Sequence, residues 1–573
     1  MAASAPPRPS AAQSAALVAA ALLPSALAFN QPPSPTLLNQ LAAVGCWGLV
    51  LTLLAATQVG RFADGLRRSA VLLAAMALVC AAALWSWLGA VLPASLALPA
   101  LALVVMVMAL AAAASVVRAS GPWQEPLFAA WLVAGVVSAL IAIVQVFAPG
   151  WPDGDWIARS SIPGRAVGNL RQPNHLSSLL LWSAVAVLPL LEMQRLKRWP
   201  AAALFALMVL GVTLSGSRTG WVGVGVLALW GLVDRRLTRF SRALLLSAPL
   251  LFGLSFGVLS WWSSHGGDHA LGAAARVGEG DISTSRFAIW RDTLALIAGA
   301  PWQGVGFGEF NFAWSLTPFP QRPMAFFDHA HNVLLQLAVE LGLPLAAAVV
   351  ALLMLALWQA ARRAWAAPGA EGAGLRAAFV MVLLMALHSQ LEYPLWYAHF
   401  LLPTAFVWGL CVGAGATATA DAPLPRWPVA VGAAMLLSAA AVLIDYRRVV
   451  VIFSPPPNAA PLAERIADGQ RSWFFAHHAD YAAATTADRP ADALPAFKRA
   501  THHLLDTRLM VAWAEALAQS GDVDRARYLA ARLSEFRNPA SDDFFAPCAD
   551  TALQPRPFQC EPPERAYTWR DFR

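Results

Sequence analysis

Asp328-His329-Ala330-His331-Asn332 closes a polar stretch, residues 264–330, and runs straight into the apolar segment that opens Val333-Leu334-Leu335. The stretch itself begins just after an apolar run ending in Trp261-Trp262. On both sides of it, up to about residue 445, the chain is almost entirely hydrophobic runs with short connections. A helical run of about 18 or more apolar residues crosses roughly 30 Å of hydrocarbon. Backbone polar groups in lipid must bond internally, so helices are the expected form. The composition agrees, with 58% hydrophobic and only 13% charged residues where a soluble domain carries about 25% charged. Many of the 24 Trp stand at the ends of apolar runs (Trp47, Trp123, Trp151, Trp221, Trp261, Trp262), where amphipathic rings anchor at the membrane interface. The expected fold class is therefore an all-α polytopic membrane protein with about 12–13 transmembrane helices and one long loop outside the bilayer. A small helical domain follows at the C-terminus.

Thirteen spans can be read, at 12–29, 37–57, 70–92, 97–117, 125–148, 175–192, 200–215, 219–233, 243–263, 331–358, 375–392, 397–417 and 427–444. They divide the chain into four segments: membrane helices in 1–263, the loop 264–330, further membrane helices in 331–445, and a soluble tail 446–573. Short loops rich in Lys and Arg stay cytoplasmic. Those holding Arg61/Arg67/Arg68, Arg118, Arg195/Lys197/Arg198, Arg235/Arg236/Arg239/Arg242, Arg362/Arg363/Arg376 and Arg426 all fall on one side. The long loop and the tail then face the other side. The same topology accounts for the net charge of +7 without nucleic acid as a partner. Pro24-Ser25-Ala26-Leu27-Ala28 looks like a signal-peptide cleavage site, but with only Arg8 before it an uncleaved first helix is the favoured reading.

The tail follows the break at Pro455-Pro456-Pro457. Residues 493–535 read as two amphipathic helices joined at Ser520-Gly521-Asp522, a hairpin resembling one tetratricopeptide unit. It serves either as a small helical cap or as a docking surface. Cys46, Cys80 and Cys411 lie in apolar runs as small buried side chains. Cys548 and Cys560 can pair only if the tail faces an oxidising compartment.

Four polar clusters fall on the non-cytoplasmic side. In Gly168-Asn169-Leu170-Arg171-Gln172-Pro173-Asn174-His175, a helix entrance can explain the amides, Asn174 fitting an N-cap. Their density also suits hydrogen bonding to sugar or phosphate oxygens. In Ser215-Gly216-Ser217-Arg218-Thr219-Gly220, Arg218 either snorkels to the interface or presents a guanidinium to an anion among small residues. Arg286, in Ser283-Thr284-Ser285-Arg286-Phe287, is a solvated charge at a helix start or a second anion ligand. The glycine-rich Gly304-Val305-Gly306-Phe307-Gly308 lacks the Lys-Ser/Thr of a nucleotide loop. In the Asp328–Asn332 cluster, His329 and His331 can be metal ligands with Asp328. The better fit is one imidazole as a proton acceptor near neutral pH. His388 to Trp396 adds further polar groups at the end of a span.

His331-Asn332, nine residues, then Gly342 resembles the His-Asn-x9-Gly signature of the bacterial O-antigen ligase superfamily. That superfamily also includes O-antigen polymerases and pilin-type protein O-oligosaccharyltransferases. Leu345 stands where the signature usually continues with Gly, Thr or Tyr. Arg286 with Trp290, then Pro301 and Gly304-Val305-Gly306, fits the run before the His, and Ser217-Arg218-Thr219-Gly220 fits the upstream Arg turn. The amide-rich 168–175 entrance and the helical tail look most like the protein O-oligosaccharyltransferase branch. The resemblance implies a multi-pass enzyme of the bacterial inner membrane that works at the periplasmic face without cofactor or metal. It would move a preassembled oligosaccharide from undecaprenyl pyrophosphate to Ser/Thr hydroxyls of an acceptor protein such as a pilin. It assigns catalytic roles to His331, Arg286 and Arg218, and substrate contacts to Asn169, Arg171, Gln172, Asn174, His175, His329 and Asn332.

Two other readings stay open. Ligation to lipid A-core or O-antigen polymerisation uses the same chemistry on a different acceptor. A bicarbonate-uptake-like transporter has a similar apolar outline, but would place its polar groups at mid-membrane on related halves. Here they gather at one face.

Overall fold

The computed structural model describes residues 9–57, 62–89, 92–117, 123–265, 281–413 and 427–573, and no strand occurs among them. Ten of the described helices are long and apolar enough to cross a membrane, and Ala11–Ala26, Arg218–Val233 and Ala398–Val412 are shorter apolar helices. The chain is a multi-pass membrane protein. Of the residues used to orient it, Arg61, Arg118 and Arg426 lie outside the described residues, as does 266–280 of the long loop.

The chain forms two units, each with its own packing. The first comprises 1–76, 105–280 and 351–441. Its inner helix is Pro173–Glu192, whose membrane window is 89% buried, against 72% for Gly369–His388 and 50% or less for the other eight spans. A helix apolar on every face belongs inside a bundle, and this one also carries small polar groups that bond across to its neighbours. Ser183 Oγ donates to the Trp131 carbonyl at 2.7 Å, and Trp182 Nε1 donates to the Met381 carbonyl at 2.9 Å. Glycines let the partner helices come close: a Cβ on Gly223 would lie 2.2 Å from Leu181 and one on Gly135 2.3 Å from Ser183.

Arg376 is not a loop charge, contrary to the expectation from loop patterning. It lies within the Gly369–His388 helix, buried, and pairs with the equally buried Asp234, which also accepts from Trp230 Nε1 at 3.2 Å. A charge this deep is tolerable only with a partner.

The second unit comprises 77–104, 281–350 and 442–573. The described part of the long loop folds with the tail around a shared apolar core. Phe310, Phe312, Trp314 and Phe319 from the loop pack with Leu509, Met510, Trp513, Leu529, Leu533 and Phe536 from the tail. Arg322 is sealed into this core. It pairs with Glu535 at 3.1 Å, donates to the Trp314 carbonyl at 2.7 Å and lies over the rings of Phe536 and Phe319. Burial pulls its pKa down to about 10 while Glu535 opposes the fall. Buried Glu309 is held by His502 Nδ1 at 2.9 Å.

Two expected elements are divided. The helix expected from 493 is broken by a turn at 501–506, so the hairpin is Thr507–Gln519 with Val523–Glu535, started by Asp506 capping the Leu509 N–H. The span expected at 331–358 is two helices, Val333–Leu341 and Leu343–Ala366. The break is at Gly342, whose φ of 76° disfavours any side chain. It is sealed on Pro301–Gly306 by three backbone bonds: Leu343 N–H to Pro301 at 2.8 Å, Val305 N–H to Val339 at 2.8 Å and Gly306 N–H to Glu340 at 3.1 Å. A Cβ on Gly342 would sit 2.3 Å from the Trp302 carbonyl oxygen, and one on Gly304 2.4 Å from that of Glu340.

Candidate functional site

In the second unit, the His-Asn-x9-Gly spacing is the anatomy of one short helix. Asn332 is its N-cap, its Oδ1 accepting from the N–H groups of Leu334 at 3.0 Å and Leu335 at 3.1 Å. This satisfies donors that a helix start leaves unpaired. The nine intervening residues are the helix Val333–Leu341, and Gly342 ends it. Immediately before the cap, His331 has a φ of 51°, a left-handed conformation that costs a side-chain-bearing residue free energy and marks a constrained position.

The constraint is supplied by neighbours that sequence reading passed over. Gln336 is buried; its Oε1 accepts from the Ala330 N–H at 2.7 Å while its Nε2 donates to Glu340 at 2.9 Å. Trp290 Nε1 donates to the Ala330 carbonyl at 3.1 Å. Both polar groups of the residue between the two histidines are thus fixed. Gln336 and Glu340 stood four apart in an expected membrane span, and that pairing was the available signal. Burial raises the Glu340 carboxyl to about 7, against hydrogen bonds from Gly308 and Gln336.

Asp328, His329 and His331 form a chain of contacts. Asp328 bonds His329 Nδ1, and His329 Nε2 lies 3.3 Å from His331 Nδ1. Which ring nitrogen carries each proton follows from the network. A carboxylate accepts, so His329 carries its proton on Nδ1 and accepts at Nε2 from His331 Nδ1–H. This makes Nε2 the lone-pair nitrogen of His331. Dehydration pushes the Asp328 carboxyl up, but the His329 hydrogen bond and the nearness of the two imidazoles outweigh it, and the net shift is downward. Phe327 packs edge-on against His331. Arg286 is half-buried on the helix Asp281–Gly299, one turn before Trp290 and on the same face. The indole bond to Ala330 ties that face to the histidine loop.

In the first unit, Arg218 is the first residue of the helix Arg218–Val233 and is half-buried. Ser217 caps it by accepting from the Gly220 N–H at 3.0 Å and donates to Asn174 Oδ1 at 2.6 Å. Asn174 Nδ2 in turn donates to Glu392 at 3.0 Å. Asn174 therefore links the Arg turn to the polar end of the 375–392 span, and the N-cap of Pro173–Glu192 is Gln172, accepting from the His175 N–H at 2.8 Å. Arg165 was not singled out from sequence, yet it is buried and donates to the Ser215 carbonyl at 3.0 Å, bracing the same turn.

The other residues of the 168–175 entrance are spent on the protein. Asn169 is 1% exposed; its amide donates to the carbonyls of Ala26 and Trp156, and its oxygen accepts from the Ala158 N–H. Arg171, with a φ of 59°, donates to the Ala28 carbonyl at 2.7 Å. His175 is buried among Tyr397, Phe400, His388 and His399. Within each unit the structure thus assembles a set: Ser217, Asn174 and Glu392 beside Arg218 in one, and Asp328, His329 and His331 in the other, with Arg286 one turn before the Trp290 that bonds their loop.

Comparisons with known proteins fall on these same segments. A family model described as O-antigen ligase matches residues 203–350, which contain Arg218, Arg286 and His331. One described as protein glycosylation ligase matches 166–191. A third, described as virulence factor membrane-bound polymerase, C-terminal, matches 376–542. Two curated proteins of Acinetobacter baylyi are similar. A general O-oligosaccharyltransferase is 31% identical over 294 residues, covering 48% of this chain and 48% of its own length. A ComP-specific O-oligosaccharyltransferase is 27% identical over 284 residues, covering 48% and 47%. The chain spans about half the length of the curated relatives it matches.

Proposed function

We infer the function of this chain from its superfamily, that of the O-antigen ligases and bacterial protein O-oligosaccharyltransferases, to which it belongs. The proposed reaction moves a preassembled oligosaccharide from undecaprenyl pyrophosphate to a Ser or Thr hydroxyl of a protein, a pilin among the acceptor candidates. The observation that carries it is the Asp328–His329–His331 relay, held on a strained backbone by the Asn332 cap, Gln336 and Trp290.

In this reaction the acceptor oxygen bonds to the anomeric carbon, and the bond from that carbon to the pyrophosphate oxygen breaks. The acceptor proton passes to His331 Nε2, and undecaprenyl pyrophosphate leaves with the electron pair. His329 and Asp328 disperse the charge that His331 gains. Arg286 binds the pyrophosphate and stabilises the negative charge growing on it, a guanidinium fork matching phosphate oxygens, and the family resemblance gives Arg218 an anion-binding role as well. Asn174, Gln172, Asn169, Arg171, His175 and Asn332 act by positioning these groups. Loop charges support the periplasmic face of the inner membrane as the place of reaction. The Cys548–Cys560 disulfide supports it too, since such bonds persist in oxidising compartments.

The test supplies purified lipid-linked oligosaccharide to the protein in membrane vesicles, with a pilin-type protein or rough lipopolysaccharide as acceptor. A glycan mass shift on the protein is expected, and its loss by at least ~100-fold in His331→Ala and Arg286→Ala at normal expression. Full transfer by either variant refutes the mechanism. Transfer only to lipopolysaccharide would instead favour the ligase reading suggested by the match over 203–350.

A further inference from the structure

Three imidazoles of the second unit take no part in the proposed chemistry. His477 and His478 open the helix Ala476–Thr486, and His503 lies in the turn that divides the expected first tail helix. One ligand nitrogen from each lies within 4.8 Å of the other two. Ring centroids are 4.3 Å apart for His477–His478, 4.4 Å for His477–His503 and 4.8 Å for His478–His503. Consecutive residues on a helix ordinarily diverge by about 100°, so the convergence of this pair on a third imidazole needs a reason.

We propose that His477, His478 and His503 form a binding site for a borderline divalent transition metal, Zn2+ in the first instance, that clasps the 476–486 helix to the 501–506 turn. Imidazole is the donor such ions prefer, and three histidines with a fourth position left to water or a carboxylate make a complete tetrahedral set. Nitrogens each about 2.0–2.1 Å from a tetrahedral ion stand about 3.3 Å apart, a contraction within reach of side-chain rotation. His477 Nδ1 is 3.1 Å from Ser95 Oγ. A hydroxyl accepting Nδ1–H leaves the Nε2 lone pair for a ligand, the usual arrangement behind a metal-bound histidine. The carboxylates of Asp328, in the histidine loop, and Asp506, in the next helix cap, are the acidic groups near His503. His477 is buried, His478 half-buried and His503 exposed, which gives the ion a path in.

The experiment uses the full chain in detergent, without a polyhistidine tag, stripped with chelator and then titrated with Zn2+ and Co2+. One ion per chain is expected, with visible Co2+ bands of tetrahedral intensity and a melting temperature raised by Zn2+. His503→Ala and His478→Gln should each weaken binding by at least about tenfold, and Ser95→Ala by about tenfold. If one ligand variant does not fold, the other carries the comparison through its Co2+ spectrum. A His329→Ala/His331→Ala double variant should bind as wild type. Loss of the ion there would move the site to the catalytic loop and overturn the assignment, as would an absence of stoichiometric binding by the wild-type protein.

Discussion

Replacing Gly342 by Ala tests the reading of the signature as one capped helix. The backbone there has φ 76° and ψ 159°, a region essentially reserved for glycine, and holding Ala in it costs about 1–3 kcal/mol. The new Cβ would lie 2.3 Å from the Trp302 oxygen and 2.6 Å from its carbonyl carbon. These atoms must retreat by about 1 Å to ordinary contact. They belong to backbone pinned by the bonds joining Pro301, Val305 and Gly306 to Leu343, Val339 and Glu340. Losing about two of those bonds costs a further 1–3 kcal/mol. The sum is about 4 kcal/mol, which for a unit of this size lowers the melting temperature by about 10 °C. A shift of about 1 Å at the start of the helix also reaches His331 and should cut glycan transfer by about 100-fold. Melting of the detergent-solubilised protein and transfer in vesicles read the two effects separately. Gly521→Ala is the control, because Gly521 has φ 92° but nothing within 4 Å of its Cβ, so only the backbone cost of about 1–3 kcal/mol applies and transfer persists. A Gly342→Ala protein that melts within about 2 °C of wild type and transfers normally would refute the account.

Asp328→Asn should lower turnover by at least about 100-fold with little change in KM. An amide that donates to His329 Nδ1 reverses both tautomers and leaves His331 Nε2 protonated; a wild-type rate would show that the relay is not used. Glu340 predicts a pH dependence. Its folded pKa of about 7 lies above the unfolded value of 4.5, so its contribution is fully present below pH 4.5 and is lost as pH rises towards 7. The loss is at most about 3 kcal/mol. Denaturant midpoints at pH 5 and pH 7.5 should therefore diverge in the wild type and converge in Glu340→Gln. Equal pH dependence in both proteins would contradict this. Arg322→Ala takes one partner from Glu535, which keeps Arg532 and the Phe319 N–H, and strips the Trp314 and Thr317 carbonyls of their donor beside a core; it should cost about 2–5 kcal/mol, measured as a fall in melting temperature, and a loss below about 1 kcal/mol would mean these groups are solvated.

The sequence by itself determined the membrane class, because span length and the absence of charge are local properties that lipid enforces whatever the neighbours do. Among the described residues, ten helices long and apolar enough to cross a membrane and three shorter apolar ones lie where the thirteen spans were expected. It also brought His331, Arg286 and Arg218 forward, since charged and titratable groups at the ends of apolar runs stand out against their background. Tertiary structure decided what those groups rest on. That the described loop and the tail share one core depends on Phe312 meeting Trp513 and on Arg322 meeting Glu535, contacts between residues some two hundred positions apart that no periodicity encodes. The same holds for the amides of 168–175. Asn169 and Gln172 look alike as potential ligands in sequence, yet one is sealed against Ala26 and Trp156 and the other caps a helix. Their donors and acceptors are claimed by backbone groups brought near only by folding, and composition cannot say which polar side chain will be claimed and which left to meet a substrate.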